Sequence, residues 1–223
     1  MTHRDLVAAI ADLFLGRTCS GCAQPGTLLC TNCTPFLLPE PEIHEYLIHT
    51  GYGWLPAAHA LTYRGVVRTV LFTYKDHRVP ELSRVLSPAL ASAISALREH
   101  ANLAPTVRLV PIPSRASALR RRGFDPTRVL LDRVQRAEHL PRSVVAHWLI
   151  DQRGSGASKR LGRTARVRAS KDAFRTSPRI RPGTEVILID DIITTGSTVS
   201  EAARTLELAG VSVRGVAAIA YTR

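Results

Sequence analysis

The chain has 223 residues, of which 45% are hydrophobic and 22% are charged. This is the composition of a globular protein, so a long disordered chain and a collagen-like or low-complexity protein are excluded. Thirty Lys and Arg against eighteen Asp and Glu give a net charge of +12, which favours a polyanionic partner such as nucleic acid, an anionic membrane or a phosphate-rich small molecule.

The first segment, MTHRDLVAAIADLFLG, predicts a short helix rather than a secretory signal. Asp5 and Asp12 interrupt its apolar residues, and no clear cleavage site follows. No apolar run in the chain approaches the roughly 20 residues that a membrane-spanning helix needs. We therefore expect a cytoplasmic protein with no membrane span.

All four cysteines lie close together, as two Cys-x2-Cys pairs separated by seven residues: Cys19, Cys22, Cys30 and Cys33. Each pair can present two sulfurs from one tight turn, and four thiolates suit a tetrahedral Zn²⁺. Four protein ligands leave no open position, so the zinc is structural and supplies the folding energy of a small ribbon. The alternative, two disulfides in a secreted peptide, conflicts with a reducing cytoplasm.

Residues 34–53 are punctuated by Pro and Gly and predict a linker. His44 and His49 lie in this segment as possible extra metal ligands, but solvent-exposed histidines are the better interpretation because the four thiolates already close a site. We therefore divide the chain into residues 1–53, which hold the N-terminal helix, the zinc ribbon and the linker, and a main domain over 54–223.

From Trp54 onward, short apolar strands alternate with helical patterns, and 151–183 is largely loop. The strands are predicted at 57–63, 107–113, 143–149, 186–189 and 211–221. The helices are predicted after Val66, over 81–98 with Pro88 as a kink or first turn, from Asp125–Pro126 to about Arg136, and over 198–209 before Gly210. This alternation indicates an α/β fold, a mainly parallel sheet with helices on both faces.

The residues that follow the strand 186–189 carry the clearest chemistry. Asp190 and Asp191 stand at its carboxyl end, where open parallel sheets bind ligands, and the segment 194–198 then leads into a helix. That segment can direct backbone N–H groups, hydroxyls and a helix N-terminus at a phosphate. Thr198-x-x-Glu201 also reads as a capping box. The simpler alternative is a buried strand end and a capped helix with no ligand.

This stretch, VILIDDIITTGST, resembles the phosphoribosyl pyrophosphate (PRPP) signature of type I phosphoribosyltransferases. The resemblance implies that Asp190 and Asp191 are the catalytic residues and bind the ribose 2′- and 3′-hydroxyls, with Mg²⁺ nearby. It also implies that the loop holds the 5-phosphate. The loop residues are Thr194, Thr195, Gly196, Ser197 and Thr198.

The order of several segments resembles the ComF family over nearly the whole chain. These segments are the two cysteine pairs, Tyr63-Arg-Gly, Lys75, Val110-Pro-Ile-Pro113, Arg121-Arg-Gly-Phe124 and the PRPP signature. The resemblance implies a phosphoribosyltransferase fold with an N-terminal zinc ribbon and a link to the uptake of single-stranded DNA in competent bacteria. Where the family often has Asn-Gln after Arg-Gly-Phe, this chain has Asp125-Pro126.

Two basic segments hold most of the charge imbalance: 108–128 carries +5 and 151–175 carries +6. The resemblance puts the first at the pyrophosphate and the second at a mobile loop over the site. Either segment could instead bind DNA phosphates or be a solvated loop. The residues concerned are Ser114, Arg115, Arg120, Arg121, Arg122, Lys159 and Arg160.

Two functions follow. The first is an enzyme that binds Mg–PRPP and transfers its phosphoribosyl group to an unidentified acceptor. The second is a non-catalytic protein that senses PRPP or a nucleotide and binds single-stranded DNA, with other DNA-uptake proteins as possible partners. Aromatic residues are only 5% of the chain, so DNA contacts would be mainly to phosphates.

Overall fold

A computed structural model of the protein describes residues 18–138, 144–153 and 173–222. The predicted N-terminal helix, Lys159 and Arg160 lie outside these residues. The strands are β1 (Glu42–Thr50), β2 (Gly53–Thr62), β3 (Arg108–Pro111), β4 (Leu149–Asp151), β5 (Phe174–Thr176), β6 (Glu185–Ile189), β7 (Ile192–Ile193) and β8 (Ser212–Tyr221). The α-helices are α1 (Gly65–Asp76), α2 (Ser83–His100), α3 (Ala116–Arg122), α4 (Pro126–Ala137) and α5 (Ser197–Glu207), and 3₁₀ turns cover Thr34–Leu37 and Pro80–Leu82.

The main sheet has the strand order β1-β2-β8-β6-β3, and the short β7 pairs with β8. Strands β2, β8, β6 and β3 run parallel to one another, and β1 adds an antiparallel edge. The apolar run Val186–Ile189 is buried, as a central parallel strand requires when both faces are covered. Strands β4 and β5 form a separate antiparallel pair.

Helices cover both faces of the sheet, as predicted. One face packs Leu71 of α1, Leu90 of α2 and Leu131 of α4 in a cluster with Ile187. On the other face, residues of α5 such as Leu206 pack in a second cluster with Leu188 and Val216. The α/β class and the mostly parallel sheet are therefore confirmed. Among the described residues, no helix has the length and apolar character needed to cross a membrane.

The linker interpretation of 34–53 is wrong. Residues 34–37 form a 3₁₀ turn, and Glu42–Thr50 is strand β1, hydrogen-bonded to β2. Ile43, Tyr46, Leu47 and Ile48 do not alternate with polar residues along this strand, whose register is irregular between His44 and Ile48, so the neighbouring Pro and Gly residues outweighed its signal. The sheet thus includes residues on both sides of the predicted boundary at residue 53, and the division into two domains stays a prediction.

The strand predicted at 143–149 is also wrong in its position. Val145 makes only an isolated bridge to Leu109, and the strand is Leu149–Asp151. Its partner Phe174–Thr176 falls in the segment predicted as loop, because three residues are too few for a periodic pattern. Pro88 lies inside α2 rather than in its first turn. The predicted cap of α4 is confirmed, since the Asp125 side chain accepts from the Arg128 N–H at 3.4 Å.

Candidate functional site

The candidate site lies at the carboxyl end of β6, the strand between β8 and β3. Asp190 and Asp191 follow this strand directly, and Ile192 and Ile193 then pair with the end of β8. The chain turns at residues 194–196 and enters α5 at Ser197. A buried apolar strand therefore delivers two carboxyl groups and a polar loop to the same edge of the sheet.

The two acids are held differently. Asp191 is buried and makes an ion pair with Lys75, with 2.8 Å between Nζ and Oδ2. The Asp190 Oδ1 atom accepts the backbone N–H of Asp191 at 2.8 Å. Lys75 lies in the last turn of α1. The helix that follows β2 therefore provides the positive charge that pairs with Asp191 at the end of β6. The Lys75 charge also acts on Asp190, but the ion pair at 2.8 Å is made by Asp191.

The charge balance follows from these contacts. Burial raises the pKa of Asp190, the neighbouring Asp191 charge raises it further, and together they bring it to about 8. Burial alone would lower the pKa of Lys75, but the charge and hydrogen bond of Asp191 outweigh that effect and raise it. Lys75 therefore keeps its positive charge beside Asp191, and a hydroxyl or a cation from a ligand would stabilise the charged form of Asp190.

Residues 194–198 form an exposed polar loop at the start of α5. Thr194, Thr195 and Ser197 are exposed, and the Thr195 and Ser197 hydroxyls lie 3.1 Å apart. Gly196 is buried with φ of +71°, and a Cβ there would meet Ile48 Cγ1 at 3.0 Å. A side chain at residue 196 would therefore be both strained and crowded.

The capping-box interpretation of Thr198 and Glu201 is wrong. The N-cap of α5 is Gly196, two residues earlier, and no side chain caps it. The Glu201 carboxylate instead accepts from the guanidinium of Arg204 at 2.8 Å. The N-terminal N–H groups of α5 are consequently left facing the loop without a side-chain acceptor, which suits an anion.

The turn after β3 contains Ser114 and Arg115 and is tied to the β4–β5 pair. The Ala116 N–H donates to Asp151 Oδ2 at 3.4 Å, and Arg153 donates to the Pro113 carbonyl at 3.1 Å. Arg153 also pairs with Asp151. This turn at the end of a parallel strand is therefore positioned by contacts from outside the main sheet.

The three arginines of α3 are not equivalent. Arg122 is mostly buried and its guanidinium lies 3.3 Å from Asp76, next to Lys75. Arg121 is 64% exposed and lies 3.5 Å from the same carboxylate. Both arginines thus contact Asp76, but Arg122 is the one whose charge also acts on Lys75 beside the acid pair. Arg120 and Arg121 extend the basic surface of α3.

The four cysteines lie together, as predicted. Their sulfur atoms are all within 4.8 Å of one another, and Cys22 Sγ and Cys30 Sγ are 3.6 Å apart. Four sulfurs at about 2.3 Å from a tetrahedral zinc would be separated by about 3.8 Å, so the cluster fits this ion. All four cysteines are free of disulfides.

Backbone donors surround this cluster. Gly21 and Cys30 direct their N–H groups at Cys19 Sγ, at 3.4 and 3.3 Å. Burial raises the pKa of Cys19, but such N–H bonds, chiefly that of Cys30, outweigh it and bring the pKa to about 6. A Cβ at residue 21 would lie 2.7 Å from Cys33 Sγ, so only glycine fits there.

A cavity of about 440 Å³ lies away from this edge of the sheet, beside the start of β3. It contains three arginines together with a histidine and a tryptophan. The lining residues are Arg108, Val145, Ala146, His147, Trp148, Arg179 and Arg181. The sequence did not indicate this basic cavity, because its residues come from three separate segments.

The chain is similar to curated proteins over most of its length. DNA utilization protein YhgH of Escherichia coli K12 is 25% identical over 193 residues, which is 84% of this chain and 82% of the relative. Competence protein ComFC of Bacillus subtilis is 26% identical over 193 residues, 86% of this chain and 72% of the relative. No family model matches the chain. These similarities over most of the chain support a relationship to the ComF family.

In this chain, sequence reasoning missed the residues that contact the predicted site directly. Lys75 was noted as part of the segment order but was given no role at the acid pair. Asp151 and Arg153 received no role either, although they position the turn at Ser114 and Arg115. A lysine at a helix end carries no local signal of its partner, because the contact from residue 75 to residue 191 depends on the sheet topology.

Proposed function

We propose that the chain binds Mg–PRPP at residues 190–198 and acts as a phosphoribosyltransferase with a type I phosphoribosyltransferase-like fold. One observation carries the proposal. Two carboxyl groups end a buried parallel strand and are followed at once by a polar loop that opens a helix at Gly196. Hydroxyls and a phosphate a few ångströms apart, as in a sugar 5-phosphate, match this arrangement.

Each part of the site then has a role. Asp190 and Asp191 accept hydrogen bonds from the ribose hydroxyls, and Lys75 positions Asp191 through the ion pair at 2.8 Å. The hydroxyls of Thr194, Thr195, Ser197 and Thr198, and the N–H groups at the start of α5, bind the 5-phosphate. Ser114 and Arg115 face the pyrophosphate, whose departure with Mg²⁺ needs compensating positive charge. Lys159 and Arg160, which lie outside the described residues, are proposed to add to that charge.

The proposed reaction breaks the bond between the ribose C1 and the pyrophosphate oxygen. An acceptor forms the new bond at C1 with inversion, and Mg-pyrophosphate leaves. Catalysis would come mainly from positioning and from stabilisation of the departing charge. The names of the relatives, DNA utilization protein and competence protein, support a role connected with DNA utilization or competence. The free thiols are compatible with a cytoplasmic location.

Calorimetric titration with Mg–PRPP tests the binding site. Asp190→Ala/Asp191→Ala should weaken binding by more than tenfold, because it removes the hydrogen bonds of both carboxyl groups, at roughly 0.5–3 kcal/mol each. The matched control Glu81→Ala/Glu99→Ala removes two exposed carboxylates and should leave the affinity unchanged. An unchanged affinity in the aspartate variant would overturn the site.

Turnover is tested separately by pyrophosphate release in the presence of Mg–PRPP and candidate bases. Release that depends on Asp190 and Asp191 supports the transferase. Tight PRPP binding with no release from any acceptor supports the non-catalytic sensor instead. The two measurements therefore distinguish a wrong site from a site that binds without reacting.

Binding of single-stranded DNA is a second candidate function, and the basic cavity favours it. Arg179 and Arg181 are close in sequence to each other and face the same cavity as Arg108. Arg120 and Arg121 provide another basic surface on α3. Aromatic stacking would contribute little in the cavity because Trp148 is buried, so phosphate contacts would dominate.

The salt dependence of binding to an oligonucleotide tests this function. Each lost phosphate contact should lower the slope of log affinity against log salt by about 0.7, so Arg179→Ala/Arg181→Ala or Arg120→Ala/Arg121→Ala should lower it by about 1.4. Arg68→Ala/Arg84→Ala removes two exposed arginines from α1 and α2 and is the matched control. An oligonucleotide that does not bind at low salt would exclude the function.

A further inference from the structure

We propose a second metal site, separate from the cysteine cluster, in which Glu42, His44 and His59 bind one divalent transition-metal ion such as Zn²⁺. The three ligand atoms, one carboxylate oxygen and two ring nitrogens, all lie within 4.8 Å of one another. The site joins the edge strand β1 to β2 and is independent of the PRPP proposal.

Strand pairing brings the three residues together. Glu42 and His44 are two apart on β1, so their side chains point to the same side of the sheet. Glu42 is directly opposite His59 in the antiparallel register, and His44 is opposite Ala57. The cluster is therefore built on backbone that the sheet already holds in place, which reduces the cost of ordering the ligands.

The two imidazoles are arranged as neighbouring ligands. Their Nε2 atoms are 3.0 Å apart, and the rings are nearly parallel. A zinc ion at about 2.0–2.1 Å from each nitrogen would hold them about 2.9 Å apart at a right angle and about 3.4 Å apart in a tetrahedron. The Glu42 carboxylate lies 3.9 Å from His44 Nε2, so a rotation of its side chain completes the set.

Contacts around the ligands orient His59 toward this position. His59 is 1% exposed, and its Nδ1 lies 3.1 Å from the Leu61 carbonyl, which fixes the proton on Nδ1 and leaves the Nε2 lone pair toward His44. A carbonyl on the other ring nitrogen is the usual partner of a metal-bound histidine. The Tyr221 ring packs against both imidazoles.

Donor chemistry and coordination number define the expected occupant. Imidazole nitrogens with one carboxylate suit Zn²⁺, Ni²⁺, Co²⁺ or Cu²⁺ rather than Mg²⁺. Three protein ligands leave a coordination position for water, unlike the closed set of four thiolates.

The prediction that His44 is solvent-exposed is wrong, because His44 is partly buried against His59. His49 is exposed, as predicted.

Metal stoichiometry and cobalt spectroscopy on the full chain test the proposal. The wild-type protein should bind two Co²⁺ per chain, one with the charge-transfer bands of thiolate ligation and one without them. His44→Ala should keep the thiolate-bound ion and weaken the other by more than the roughly 10–100-fold that loss of an outer-shell partner costs. His49→Ala, on the same strand but packed against Trp54, is the matched control and should bind two ions.

Glu42→Gln keeps the shape of the side chain and provides the test if His44→Ala fails to fold, with the same loss of affinity expected. Uptake of a single, thiolate-bound ion by the wild-type chain would overturn the proposal. An unchanged second affinity in a folded His44→Ala or Glu42→Gln variant would also overturn it, and the 3.0 Å contact would then be a hydrogen bond between two neutral imidazoles.

Discussion

The cysteine cluster and the acid pair at the end of β6 both bring groups of like charge together, but they are compensated in different ways. Cys19, Cys22, Cys30 and Cys33 contact no lysine or arginine in the described part of the chain, so a cation that stabilises four thiolates there must come from outside. Asp191 has Lys75 at 2.8 Å, supplied by the fold itself. Only Asp190 is left to be satisfied by a ligand.

The two regions also differ in how much apolar surface they bury. Around the cysteines, the apolar contacts are Leu29 and Val66, which bury little surface. The acid pair instead ends a strand whose residues Val186–Ile189 are in the core. A region that buries little apolar area depends on its ion for folding, whereas the strand end folds with the sheet and can tolerate a destabilising carboxyl group.

The largest effect that this comparison predicts is on the cysteine region. Cys30→Ser should release the thiolate-bound ion and unfold residues 18–33, because binding of a structural zinc contributes about 10–16 kcal/mol in small domains. The main sheet should remain folded. Metal analysis and local hydrogen exchange measure the first effect, and circular dichroism measures the second.

Thr27→Ala is the matched control for this prediction, since it removes a hydroxyl that donates to the Leu29 carbonyl at 3.2 Å in the same loop. It should cost only about 0.5–1.5 kcal/mol and keep the ion. If Cys30→Ser unfolds the whole chain cooperatively, the two regions are one folding unit and the comparison fails.

The next effect concerns the internal cation. Lys75→Met should destabilise the fold by about 3–5 kcal/mol, because it leaves Asp191 buried without its partner beside Asp190. For a chain of this size the melting temperature changes by roughly 2–4 °C per kcal/mol. Thermal unfolding of the variant at neutral pH measures this loss.

A double variant separates charge from packing. Lys75→Met/Asp191→Asn removes both members of the pair and should recover most of the lost stability, although it should not recover PRPP binding. A single variant as stable as the wild-type chain would mean that Lys75 does not compensate Asp191, and the contrast with the cysteines would no longer hold.

The two regions also differ in how far the sequence predicts them. Spacing alone identifies the cysteine cluster, because its ligands are at most 14 residues apart and local turns bring them together. The acids and the loop are likewise one continuous segment. Lys75 is 116 residues from Asp191, and no local pattern specifies such a contact before the strand order is known.

The same distinction explains the errors in the fold. Strand β6 was predicted because four consecutive apolar residues are a strong signal, whereas β1 is an edge strand with polar residues and was interpreted as linker. His44 and His59 were not associated because only the β1–β2 register brings them together. The Gly196 cap was missed because a capping box two residues later fitted the usual pattern.

The smallest predicted effect tests the uncompensated acid. Burial and the Asp191 charge raise the pKa of Asp190 from 3.8 to about 8, so between these values the folded chain holds a proton that the unfolded chain has released. The contribution of Asp190 to stability therefore falls as the pH rises through this window and is lowest above pH 8. Asp190→Asn has no proton to release but keeps an acceptor for the Asp191 N–H. Its melting temperature should match that of the wild-type chain near pH 4 and exceed it increasingly toward pH 8, by roughly 2–4 °C for each kcal/mol gained in the free energy of unfolding.

Asp132→Asn on α4 is the matched control and should show no such trend. A variant less stable than the wild-type chain at pH 8 would mean that Asp190 is compensated within the fold, as Asp191 is, and that no ligand is needed to satisfy it.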